Sequence, residues 1–134
     1  MEYIQINNRK WNVAIFEIKE TITKVQSSYS GDTLSGETLT DYIGTKIGHI
    51  ITIDTENTDR ATLDELYEIA LTPSNAPCQV TFPHNQATIT YLAQLDTKGR
   101  DLLLINKEKG YTDWDELTIE FIPTQYQKRA TNGY

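Results

Sequence analysis

The chain has 134 residues, 38% hydrophobic and 23% charged, a length that suits one domain able to bury a core without disulfides or a metal. Twelve Lys and Arg against 19 Asp and Glu give a net charge of −7, which argues against nonspecific nucleic-acid binding. One cysteine excludes an internal disulfide framework, and no apolar run approaches the roughly 20 residues of a membrane span.

Met1 to Lys10 lacks the apolar centre of a secretory signal, so a soluble globular domain made in the cytoplasm is expected. From Phe16 to Val25 the pattern has period two, with Phe16, Ile18 and Ile22 on one face and Thr21, Thr23 and Val25 on the other. Gln26 to Asp41 is polar, with two glycines and few core candidates beyond Leu34 and Leu39. Loops of that length are often functional or disordered. Ile43 to Ile53 alternates cleanly, placing Ile43, Thr45, Ile47, His49, Ile51 and Ile53 together. Thr62-Leu63-Asp64-Glu65 reads as a capping box, with the Thr62 hydroxyl accepting from the Glu65 amide. Leu63, Leu66, Tyr67, Ile69 and Ala70 then recur at helical spacing, predicting one short helix over about 63–71 that Thr72-Pro73 ends.

Cys78, Val80 and Phe82 share a strand face, Pro83-His84-Asn85 reads as a turn, and Ala87 to Leu95 sets Ile89, Tyr91, Ala93 and Leu95 on one side. Leu102 to Ile105 is a short unbroken apolar run, expected to be a strand buried on both faces. The last strand, Asp115 to Ile122, aims Leu117, Ile119 and Phe121 inward and stops at Pro123. The fold expected is mainly β, an antiparallel β-sandwich or barrel with one short α-helix. Residues 1–123 form a single domain and 124–134 a polar C-terminal arm. The core expected comprises Phe16, Ile18, Ile47, Ile51, Leu66, Val80, Ile89, Leu117, Ile119 and Phe121.

No catalytic constellation is evident. His49 reads as a strand histidine with its hydrogen bonds met and His84 as a solvated turn residue; neither sits in a metal-ligand spacing. Cys78 opens an apolar strand without a basic neighbour to form a thiolate, and is expected to pack as a small hydrophobe. The acids Asp54, Glu56 and Asp59 precede the helix, where its dipole favours them, and lack the glycine turn and distal Glu of a calcium loop. Asp113, Asp115 and Glu116 read as a solvated turn beside a charge-guarded strand. No catalytic residue, metal or cofactor is therefore expected. Tyr29, Tyr42, Tyr126 and Tyr134 lie in or beside the loose segments, as surface tyrosines or as contact residues.

A run from Ser35 through Gly36, Glu37, Thr38, Leu39, Thr40, Asp41, Tyr42, Ile43, Gly44 and Thr45 to Lys46 leads straight into an alternating strand. With the helix around Leu63-Asp64-Glu65-Leu66-Tyr67, the strand Val80-Thr81-Phe82-Pro83 and the ending from Trp114 to Pro123, it resembles small tail or baseplate-associated proteins of phages and prophages of Gram-positive bacteria. The likeness spans residues about 28 to 123; the acidic loop before the helix and the longer tail after Pro123 depart from it. The resemblance implies a non-catalytic structural subunit, made in the bacterial host cytoplasm and carried in a virion tail or phage-like particle. It would form a homo-oligomeric ring and meet neighbouring tail or baseplate proteins, without nucleic acid or membrane. The interface candidates are Tyr29, Leu34, Leu39, Tyr126 and Tyr134. A carbohydrate-binding β module that stacks exposed aromatics on cell-surface glycans is the alternative. An enzyme, needing a cleft that joins His49 or His84 with acids, is the third class.

Overall fold

The computed structural model describes residues 3–26, 31–32, 38–39, 42–73 and 76–129. It is mainly β, antiparallel, with one α-helix, as expected. The strands are β1 (Tyr3–Ile6), β2 (Arg9–Asn12), β3 (Ile15–Gln26), β4 (Gly31–Asp32), β5 (Thr38–Leu39) and β6 (Tyr42–Ile53). After helix α1 (Arg60–Leu71) come β7 (Cys78–His84), β8 (Ala87–Thr97), β9 (Leu102–Asn106), β10 (Tyr111–Trp114), β11 (Leu117–Pro123) and β12 (Lys128–Arg129).

Eight strands form one sheet in the order β3-β6-β11-β8-β7-β1-β2, with β12 beside β6 on the edge that β11 also uses. The edge strands β2 and β3 are consecutive in sequence, joined only by Val13 and Ala14. Three backbone steps reach at most about 11 Å, so the sheet must curl until its two edges nearly meet. Loop 54–58 pins that seam: the Asp54 amide donates to Ala14 O at 2.8 Å, and the Ala14 amide donates to Thr58 Oγ1 at 2.9 Å. Thr58 Oγ1 in turn donates to Asp54 O at 2.8 Å. No ladder joins β2 to β3 among the described residues, so the curled sheet is sandwich-like and not a closed barrel.

The concave face holds the core. Ile4, Ile6, Trp11, Val13, Ile51, Ile53, Val80, Phe82, Ala93, Leu117, Ile119 and Phe121 are buried there. Helix α1 closes one end with Leu63, Leu66 and Ala70, and its Glu65 takes a bidentate ion pair from Arg9 of β2. At the other end Glu20 of β3 meets His84 of β7 at 3.0 Å, although three strands separate them in the sheet. That contact is independent proof of the curl.

Several expectations need correction. The helix begins at Arg60, three residues early, with Asp59 as N-cap and no side-chain capping bond. Thr62 Oγ1 turns back to Asp59 Oδ2 at 3.4 Å, and Arg9 claims the Glu65 carboxylate that a capping box would use. The β7–β8 turn is Asn85-Gln86, with Asn85 at φ 53°, so His84 belongs to the strand. Ile43 is exposed near the start of β6, and Ile22 is exposed on the edge strand β3 although it sits opposite buried Ile47. Ile18 and Ile89 are only partly buried against the core, and the side chain of Phe16 lies outside the described part. The β1–β2 hairpin was not anticipated; its turn, Asn7-Asn8, has φ 52° and 66°, values asparagine tolerates better than most residues.

Residues 124–129 are not a free arm. Gln127 donates to Ile47 O at 2.6 Å and accepts from the Ile47 amide at 2.9 Å, and β12 pairs with β6. Gly44 makes this possible, since a Cβ there would lie 2.5 Å from Lys128 O.

Candidate interaction surface

The apolar run Leu102 to Ile105 contradicts its expected burial. Leu102, Leu103, Leu104 and Ile105 do form a strand, yet each is between 45% and 60% exposed. Among the described residues strand β9 pairs only with β10, in a ribbon separate from the main sheet, and no third described strand covers it. The register shifts between Asp113 and Trp114, which leaves Leu103 as an extra residue in β9. Beyond it the ladder is regular: Leu104 faces Asp113, Ile105 faces Thr112 and Asn106 faces Tyr111.

The ribbon is nonetheless fixed. Arg100 lies at its base, its side chain only 9% exposed, with the guanidinium 4.2 Å from the Tyr67 ring centroid and 4.6 Å from that of Trp114. Its Nη2 donates to Asp64 Oδ1 at 3.2 Å. Arg60 repeats the device, 3.8 Å over the Tyr111 ring while Nε donates to Asp113 Oδ1 at 2.9 Å. Two arginines thus bolt the ribbon to α1 by stacking and ion pairing; the desolvated Arg100 contact is worth about 2 kcal/mol and the half-exposed Arg60 contact about 0.5 to 1. Thr55 Oγ1 donates to Trp114 O at 2.8 Å, and the Asp115 amide donates to Asp101 O at 2.7 Å. At the tip the Gly110 amide donates to Asn106 O at 2.9 Å, with Gly110 at φ 73°. An open groove of about 500 Å³ runs beside the ribbon, lined by Glu56, Asp59, Leu103, Leu104, Asp113 and Trp114 among others. Apolar side chains on an anchored strand beside a polar groove suit protein contact, because the backbone that carries them is already ordered.

The histidines occupy the opposite end of the core. His49 is fully buried, stacked on Phe82 with centroids 4.3 Å apart, and its Nδ1 shares a 2.8 Å hydrogen bond with the Tyr91 hydroxyl. Its Nε2 has no hydrogen-bond partner among the described residues, so only one of the ring's two polar atoms is met. Burial holds the imidazole neutral, pushing its pKa down to about 4, and pushes the Tyr91 phenol upward. His84 is half-buried in a strand and faces Glu20, a correction to the solvated turn residue expected. Cys78 packs against the core edge, as expected for a small hydrophobe. The acids before the helix serve the loop itself, with Asp54 accepting from the Glu56 amide and the Asn57 side chain.

Of the expected interface residues, Tyr126 is half-buried, covering Gly44 with Lys46 and Arg129 near its ring. It stands by the first residues of β6 and the ribbon stands beyond the last, about 30 Å of strand apart. Leu39 pairs through its backbone with Gly31. Tyr29, Leu34, Tyr134 and the Leu39 side chain lie outside the described residues. The ribbon was missed as a surface because four consecutive apolar residues read as doubly buried. The signal that distinguishes it is the flanking Arg100, Asp101 and Lys107, too polar for an interior strand. No described helix is long and apolar enough to cross a membrane. No family model matches the chain, and neither a curated protein nor a solved structure does.

Proposed function

We propose that this chain is a non-catalytic structural subunit that assembles with copies of itself or with neighbouring proteins, in a phage or phage-like tail or baseplate. One observation carries the assembly reading: a rigid ribbon that holds Leu102 to Ile105 in solvent. Four half-exposed aliphatic side chains forgo roughly 3 to 6 kcal/mol of burial, a driving force that a partner surface recovers. The tail assignment rests on the resemblance carried by residues Ser35 to Lys46 and Trp114 to Pro123, and places the chain in a virion after synthesis in the host cytoplasm.

The two tryptophans favour assembly over glycan stacking. Trp11 lies under Arg9 at 3.9 Å and Trp114 under Arg100, so arginine already occupies the ring faces a sugar would use. The test is co-expression with the genes that flank its own, followed by purification and electron microscopy. The reading expects the chain within rings or tail-like particles that are lost when it is deleted; particles that form fully without it would overturn the reading.

A further inference from the structure

Strand β10 occupies one edge of β9, and no described strand pairs with the other. Proteins ordinarily guard such an edge with inward charges, proline or a covering element. Here the exposed edge is aliphatic, and its side chains project from both faces of the ribbon. A partner laid on one face would leave the other wet, whereas a strand alongside the edge shields both. The charges flanking the run are self-complementary. Asp101 precedes Leu104 by three positions and Lys107 follows it by three. Asp101 is exposed, Lys107 is exposed, and neither makes an ion pair among the described residues.

We infer that β9 pairs antiparallel with β9 of a second copy, about a two-fold axis through Leu104. That register sets Asp101 opposite Lys107 of the partner subunit at both ends of the apolar run, and the reversed registers lose this match. The regular stretch Leu104 to Asn106 supplies the edge, while the extra residue Leu103 adds apolar surface near the axis. An isologous contact closes at two copies. A ring must therefore be closed by a different surface, and β9 links copies in pairs. This inference rests on the assembly reading and specifies which surface and which symmetry it uses.

Sedimentation equilibrium from micromolar to sub-millimolar concentration tests it on the full chain, with circular dichroism to verify that each variant folds. The wild type should reach dimer mass. Leu104→Asp sets two carboxylates against each other on the axis and should weaken pairing about a hundredfold or more. Asp101→Lys and Lys107→Asp should each weaken self-association about tenfold, since each faces like charges at both ends. Mixing those two single variants should restore a dimer, because the Lys of one then faces the Asp of the other at both ends. That rescue is available even if Leu104→Asp fails to fold. Self-association that ignores all three substitutions would overturn the β9 contact while leaving the assembly reading intact. A wild type that stays monomeric, or that floats instead with phosphatidylglycerol vesicles through these leucines, would also overturn it; assembly with neighbouring gene products would then decide the broader reading separately.

Discussion

Strand β6 carries Ile47, Ile51 and Ile53 into the core, whereas β9 carries Leu102, Leu103, Leu104 and Ile105 into solvent. Both are aliphatic and both pair antiparallel with a later strand of the chain. The difference lies in what surrounds them. β6 has β3 along one edge and β11 with β12 along the other, and the curled sheet wraps its inner face. β9 has β10 alone. The apolar content of a strand therefore does not decide its burial; the number of neighbours does, and a two-stranded ribbon has too few.

The contrast is broken most severely at the core. Phe121→Ala should cost about 3 to 5 kcal/mol by opening a cavity beneath Phe82, while Leu103→Ala in the ribbon should change stability by no more than about 0.5 kcal/mol. Urea denaturation midpoints check both. Similar costs at the two sites would mean that the ribbon is part of the core.

Acid should act on the same buried side. The unfolded His49 protonates near its ordinary value of 6.5, whereas the folded imidazole resists until about 4. Protons therefore bind the unfolded chain first, and stability falls as pH drops through that window, by about 3 kcal/mol in full. Between pH 7 and 4, urea melts of His49→Phe should lose that much of the wild-type slope, the remainder belonging to carboxylates. An unchanged slope would show that His49 is already solvated or charged.

Smaller still is the loss expected at the ribbon's anchor. Arg100→Ala removes the guanidinium between Tyr67 and Trp114 and should cost about 2 kcal/mol. Its signature is local, with faster amide exchange in β9 and β10 before the main sheet responds. Lysine lacks the planar fork, so Arg100→Lys should not restore protection. Uniform exchange changes across the chain would place the anchor's role in the whole fold.

Much of this architecture was legible in residues. The alternation of Ile47, Ile51 and Ile53, of Val80 and Phe82, and of Leu117, Ile119 and Phe121 marks buried strand faces because each belongs to a sheet interior. The helix was legible from Leu63, Leu66 and Ala70, yet its first turn was not, because Arg9 in a distant strand takes the Glu65 carboxylate. The β1–β2 hairpin has a readable signal, Ile4 and Ile6 alternating towards Asn7-Asn8. The ribbon was the hardest element. Local pattern carries no count of neighbouring strands, and burial of a nonalternating run depends wholly on that count. The arm after Pro123 misled for a related reason: Gln127, polar and unremarkable in sequence, finds both backbone groups of Ile47.

The exposed run serves either contact between chains or the fold of a single chain. Measuring the melting temperature and the solution mass of Leu104→Asp beside the wild type separates these directly. The expected result is a melting temperature within a few degrees of wild type at dilutions where both are monomeric, since the substitution costs no more than about 0.5 kcal/mol there, with the higher-mass species lost at high concentration. A variant that unfolds at low temperature, or that retains the wild-type mass at every concentration, would contradict it.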